Sequence, residues 1–277
     1  MAMNYVPIHP LDHHLRLDRL PTFYCPGCGL GIALAAMLRA IDRGVKEGSI
    51  DPKKLVWISG IGCSARMTLF VHYDAAHVLH GRAIPFATGV VLANPEITAI
   101  VIGGDGDIAG IGGNHLIHAA RRNIDMIVVM FTNFVYAMTG GQVAPTTPMW
   151  VRTTTTPRGN PEMPLDVVKL VSSLNANYVA RASVTTPHYI EQFFYKALRM
   201  RGFRFIEIIS TCPEVYGRHI GLRNPVEIYN ELRKIVKYKQ NPSIDESRII
   251  WGKEIIIGEF VIRNNASYIE TLRGVLK

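Results

Sequence analysis

Four stretches of this chain, residues 54–59, 97–102, 125–132 and 203–209, are rich in apolar and β-branched residues with few polar interruptions. A strand that is apolar on both faces needs cover on both faces. Parallel sheets flanked by helices provide it. The intervening sequence suits that architecture. Residues 30–43, 113–122, 166–174 and 187–201 carry apolar side chains at helical spacing, and Gly44 is a plausible stop for the first. Residues 177–182 read as one more strand. The expected fold class is therefore α/β, a parallel sheet covered by helices on both faces. After Pro225 a basic helix over 225–239 and an irregular end are expected. This divides the chain into a domain over 1–224 and a C-terminal extension over 225–277, packed on the core or on a partner subunit.

With 277 residues, 48% of them hydrophobic, the chain can build a sizeable core. No run of 18 apolar residues is present, so no membrane-spanning helix is expected. Residues 1–12 lack a basic stretch followed by an apolar one, so no leader is expected and the location is expected to be cytoplasmic. The net charge is +8. The basic residues are dispersed and carry no nucleic-acid motif, so nucleic acid is not an expected partner, whereas an acidic redox protein is.

The chemistry-bearing residues collect at strand ends. Cys63, Asp105, Asn133 and Cys212 all fall at or just past the C-terminal ends of expected strands, where open α/β sheets bind ligands. Gly104-Asp105-Gly106-Asp107 follows a strand and precedes a helix. Its glycines let backbone approach a phosphate, and Asp105 offers a hard oxygen suited to Mg²⁺. Asn133, at the end of the next strand, can converge on the same ion, and the Val135 carbonyl can complete the protein's share. The alternative is a tight turn with a capping aspartate. That leaves the Asn133 spacing and the second carboxylate, Asp107, without explanation. The pattern is that of thiamine diphosphate enzymes. It lacks the third glycine and distal acid of a dinucleotide fingerprint and the Lys-Ser/Thr of a P-loop.

Four cysteines are too few for a disulfide scaffold. Cys25-Pro26-Gly27-Cys28 places two thiolates on one turn, and Cys63 and Cys212 come from two other strand-end loops. Together they can enclose a [4Fe–4S] cluster or a tetrahedral Zn²⁺. A dithiol of the thioredoxin kind and plain buried thiols are further readings. A redox cluster has a use beside an electron-rich cofactor and a structural zinc does not. Cys63, on a loop expected to face the thiamine site, therefore favours the cluster.

Together these residues resemble the β subunits of 2-oxoacid:ferredoxin oxidoreductases. The resemblance runs from about Tyr24 to Cys212. It is carried by Tyr24-Cys-Pro-Gly-Cys-Gly29, Gly60-Ile-Gly-Cys-Ser64, His80-Gly-Arg-Ala83, Gly103-Gly-Asp-Gly-Asp107, Asn133-Phe-Val-Tyr136, Thr139-Gly-Gly-Gln142, Pro145-Thr-Thr-Pro148 and Cys212-Pro213. It implies a thiamine-diphosphate-binding fold, with Cys25, Cys28, Cys63 and Cys212 on one [4Fe–4S] cluster. It implies Mg²⁺ on Asp105, Asn133 and Val135. Thiamine diphosphate contacts are implied at Ile61, Gly62, Cys63 and Ser64, at His80, Gly81, Arg82 and Ala83, at Gly104, Gly106 and Asp107, and at Tyr136, Ala137, Met138 and Thr139. The Thr139 and Pro145 segments look most like the 2-oxoglutarate members. Some broad-specificity relatives carry Lys where Gly140 stands. Arg66 sits where the family places a basic group near the substrate, and a guanidinium there can pair with a distal carboxylate. A solvated or phosphate-contacting Arg66 is the alternative. The implied reaction is oxidative decarboxylation of a 2-oxoacid with coenzyme A, electrons leaving through the cluster to ferredoxin. In the family an α subunit supplies the glutamate that assists the aminopyrimidine. No glutamate here answers to it, so an α subunit is an expected partner.

Overall fold

The computed structural model describes residues 9–276. Residues 1–8, on which the expectation of no leader partly rests, lie outside them. The strands are β1 (Leu55–Ser59), β2 (Asp74–His77), β3 (Thr98–Gly104), β4 (Met126–Thr132), β5 (Val135–Tyr136), β6 (Gln142–Val143), β7 (Tyr178–Ser183), β8 (Phe203–Ile209), β9 (Val236–Tyr238) and β10 (Ile255–Ile262). The helices are α1 (Leu30–Lys46), α2 (Ala83–Ala93), α3 (Gly113–Arg121), α4 (Val167–Ser172), α5 (Pro187–Leu198), α6 (Pro225–Ile235) and α7 (Tyr268–Val275). Among the described residues, eight strands form one sheet in the order β2-β1-β3-β4-β8-β7-β10-β9. From β2 to β7 every pair is parallel.

Side-chain alternation explains why both faces are covered. On β3 and β4, Ile100, Ile102, Ile127 and Val129 point to the face packed by α1 and α5. Ala99, Val101, Met126 and Val128 point to the face packed by α2, α3 and α4. Helix α1 turns Ala33, Leu34, Met37, Leu38 and Ile41 inward at three- and four-residue spacing. Asp166 caps α4 by accepting the Lys169 N–H at 2.9 Å.

The end of the chain departs from expectation. The basic helix stops at Ile235, and the irregular end is instead ordered. There β10 pairs antiparallel with β7, and β9 pairs parallel with β10. A buried ion pair ties this part down. Arg181 Nε donates to Glu207 Oε2 at 2.6 Å, and its Nη1 donates to the Ser247 carbonyl at 2.7 Å. No helix among the described residues is long and apolar enough to cross a membrane.

Candidate functional site

Strand β3 ends at Gly104 and delivers Asp105 into the interior, at the start of a wide helical turn, Gly106–Ile111. Asp105 is buried. Its Oδ1 accepts the Gly106 N–H at 2.9 Å, and its Oδ2 accepts the Phe134 N–H at 2.9 Å and the Thr146 hydroxyl. Burial pushes this carboxyl up to about 6, against the opposing pull of those three donors. Asp107 is also buried and raised by burial. Its Oδ1 accepts amide hydrogens from Gly81 at 2.6 Å and Ile61 at 3.4 Å. Its Oδ2 has no hydrogen-bond partner among the described residues.

The loop after β4 closes over these acids. Phe134 takes φ +70°, rare for a bulky residue, and this turns its N–H onto Asp105. Asn133 Oδ1 accepts the Val135 N–H at 3.2 Å. Strands β5 and β6 then form a small hairpin. Tyr136 lies flat against Gly106, where an added Cβ would come 2.2 Å from its ring, and its hydroxyl donates to the Gly106 carbonyl at 3.2 Å. Only glycine allows that approach. A cavity of about 100 Å³ results, lined by Ile61, Gly62, Cys63, Ser64, His80, Gly104, Asp105, Gly106, Asp107, Asn133, Val135, Tyr136, Ala137, Met138 and Thr139, with Leu30 and Phe131. Its lining offers the hard oxygens of Asp105, Asp107 and Asn133, which suit Mg²⁺, and glycines at 62, 104 and 106 that leave room beside them for a diphosphate.

All four cysteines line an adjoining cavity of about 200 Å³. The two cavities share Leu30, Cys63, Asn133, Ala137 and Met138 as a common wall. No three of the four sulfurs lie within 4.8 Å of one another. Four thiolates around one zinc sit about 3.8 Å apart, from a Zn–S bond of about 2.3 Å. The set is thus wider than a zinc tetrahedron. Burial pushes the Cys28 thiol up to about 12 and raises those of Cys63 and Cys212, with neighbouring cysteines adding to the shift. A metal held by these thiols would have to draw off their protons.

Most of the sequence-expected site residues thus meet in these two cavities. Gly81 contributes its amide to Asp107. Arg82 is exposed and turns towards His115 at 3.4 Å, while Ala83 is buried at the start of α2. Arg66 lines the cysteine cavity, with its guanidinium 4.9 Å from the Phe23 ring centre. Sequence reasoning assigned no role to Phe23, Tyr24, Ser210, Thr211 and Glu214, which also line that cavity, or to Thr146 on Asp105. The signal for Thr146 was its place in Pro145-Thr146-Thr147-Pro148.

Residues 56–208 match the family model described as thiamine pyrophosphate enzyme, C-terminal TPP binding domain. The 2-oxoglutarate synthase subunit KorB of Methanocaldococcus jannaschii is 39% identical over 270 residues, 98% of each chain. The 2-oxoacid:ferredoxin oxidoreductase subunit beta of Saccharolobus solfataricus is 37% identical, covering 80% of this chain and 70% of its own. A solved 2-oxoglutarate:ferredoxin oxidoreductase from Magnetococcus marinus, with 2-oxoglutarate, coenzyme A and succinyl-CoA bound, superposes with a TM-score of 0.84 at 31% identity, covering 98% of this chain and 91% of that one.

Proposed function

This chain belongs to the β subunits of the 2-oxoacid:ferredoxin oxidoreductases, and on that premise we propose that it acts in the CoA-dependent oxidative decarboxylation of 2-oxoglutarate to succinyl-CoA and CO₂. Asp105, Asn133 and the Val135 carbonyl hold Mg²⁺, and the cavity beside them takes thiamine diphosphate. Cys25, Cys28, Cys63 and Cys212 hold one [4Fe–4S] cluster. When bound, thiamine diphosphate supplies the electron sink for decarboxylation and the cluster supplies the exit for electrons.

The chain's own residues do the placing. Asp105 and Asn133 fix the metal end of the cavity, and Asp107 locks the Ile61 and Gly81 loops against it. The Tyr136 hydroxyl holds the Gly106 carbonyl and the Thr146 hydroxyl holds the Asp105 carboxylate, which fixes the metal loop. Arg66 offers a cation for a distal carboxylate. Among the described residues no glutamate lines the cofactor cavity, which supports an α subunit supplying that group. An acidic ferredoxin suits the basic surface. The observation that carries the reading is the shared wall. Cys63 borders both cavities, so a cluster on it adjoins the cofactor.

The test is the αβ complex assembled without oxygen, with coenzyme A and a viologen acceptor. We expect about four iron and four sulfide per β chain and a preference for 2-oxoglutarate over pyruvate. Zinc without sulfide, or equal turnover of both acids, would sink the corresponding half.

A further inference from the structure

Ahead of the cysteines, residues 9–28 form a strap across the molecule. It is tied to the segment after residue 69, where Arg16 N–H donates to the Phe70 carbonyl at 2.7 Å and His72 N–H donates to the His14 carbonyl at 2.8 Å. Where the strap meets Asp42 of α1, two imidazoles face one carboxylate. His13 Nε2 lies 3.4 Å and His14 Nε2 lies 3.5 Å from the same oxygen, Asp42 Oδ1. All three ligand atoms fall within 4.8 Å of one another.

Both distances exceed an ordinary N–H···O hydrogen bond of about 2.9 Å. They match the edge of a tetrahedron around a zinc ion, about 3.3–3.4 Å for metal–ligand bonds of about 2.0–2.1 Å. His14 is buried, and its Nε2 makes no hydrogen bond of ordinary length among the described residues, Asp42 Oδ1 lying 3.5 Å away across the cluster. The other ring nitrogen, Nδ1, is already fixed, 2.5 Å from the Tyr73 hydroxyl. That leaves Nε2 as the ligand and gives it the outer partner that metal-bound imidazoles usually have.

We infer that His13, His14 and Asp42 form a divalent cation site, of the class that takes zinc, which staples the N-terminal strap to α1. Two imidazole nitrogens and one carboxylate oxygen suit a borderline transition cation better than Mg²⁺ or Ca²⁺, with water in the fourth position. Lys46 Nζ holds the other oxygen, Asp42 Oδ2, at 2.7 Å and leaves Oδ1 facing the histidines. The strap runs on into Cys25 and Cys28, so the site is separate from the thiolate set while fixing the chain that delivers half of it.

The experiment uses the αβ complex with its cysteine site loaded. It is equilibrated with zinc, desalted, and analysed for zinc and iron, and zinc affinity is measured by competition with a chromophoric chelator. His13 is exposed, so His13→Ala disturbs no core, and Asp42→Asn keeps the shape of its side chain. The wild type is expected to carry one more zinc per β chain than either variant, at unchanged iron, and the variants' affinity to fall at least tenfold. Lys46→Gln removes the neighbouring ion pair but no ligand, and it should keep the zinc. Equal zinc content and affinity in wild type, His13→Ala and Asp42→Asn would overturn the site. So would a wild type that takes up no zinc, or loss of zinc in Lys46→Gln equal to that in the other two.

Discussion

The Asp107 carboxylate accepts the Gly81 amide hydrogen at 2.6 Å, joining the turn after β3 to a loop 26 residues earlier. Gly81 itself has φ +73°, a conformation few other residues reach at low cost. One buried acid thus holds two of the loops that border the cofactor cavity. Asp107→Ala would leave the Gly81 and Ile61 amides without their acceptor inside the protein. A loss of about 1–3 kcal/mol in urea unfolding is expected, together with weaker thiamine diphosphate binding. Unchanged stability and unchanged affinity would show that the loops hold without it.

Asp105 is more deeply integrated than a carboxylate on a strand-end loop suggests. It accepts from Gly106, Phe134 and Thr146 at once. Truncation to alanine would orphan all three donors, whereas Asp105→Asn keeps one acceptor oxygen and the side-chain volume, so it is the milder probe. It is expected to remove Mg²⁺-dependent thiamine diphosphate binding while leaving a folded chain by circular dichroism. Wild-type cofactor affinity in that variant would take Asp105 out of the metal site.

The same residue gives a pH signature. The folded chain raises the Asp105 carboxyl to about 6, and an unfolded aspartate sits near about 3.9. Between those values the folded state holds more protons, so this group's contribution to the stability of the metal-free chain falls as pH rises from 4 to 6. Subtracting the unfolding free energy of Asp105→Asn from that of the wild type isolates it. The difference should decline by about 2–3 kcal/mol across that window, at 1.36 kcal/mol per unit, and stay level above it. A flat difference would mean the carboxyl titrates normally.

Cys212 lies far along the chain from Cys25 and Cys28 but lines their cavity. Cys212→Ser is expected to lose iron and the visible absorbance of the cluster. A full iron complement at unchanged potential would remove Cys212 from the ligands.

Arg66 borders the cysteine cavity beside Phe23. A charge-assisted hydrogen bond from it to a distal carboxylate is worth about 1.5–3 kcal/mol. Arg66→Met should therefore lower kcat/KM for 2-oxoglutarate about ten- to over a hundredfold and spare pyruvate. Equal losses on both would assign Arg66 to the cofactor or to a subunit contact.

The central strands were legible because both their faces are apolar, and β8 has the bounds read from sequence. Strand β2, Asp-Ala-Ala-His, was not. It is a short edge strand with mostly exposed side chains and carries neither periodicity nor bulk. Strand β10 lies in the stretch expected to be irregular, and Gly258 interrupts its run of isoleucines as a residue that weakens a strand. In the fold that glycine is required, since a Cβ there would meet the Lys239 carbonyl oxygen at 2.3 Å. Site residues at strand ends could be placed because the sheet fixes where strands end. Thr146 could not, because its contact with Asp105 depends on the path of a Thr- and Pro-rich loop that no local pattern sets. The same limit applies to Arg82, adjacent to Gly81 in sequence yet turned outward.

The antiparallel pairing of β10 with β7 also sets an order of events during synthesis. Strand β7 and the Arg181–Glu207 pair are made well before the residues that cover them. Until residue 262 has left the ribosome, the β7 edge has open hydrogen-bonding groups, and Arg181 lacks the carbonyls of Ser247 and Ile256. A nascent chain in that state displays an unpaired strand edge and a half-satisfied guanidinium, the kind of surface that chaperones shield. Closure of the sheet thus falls to its latest-made strand.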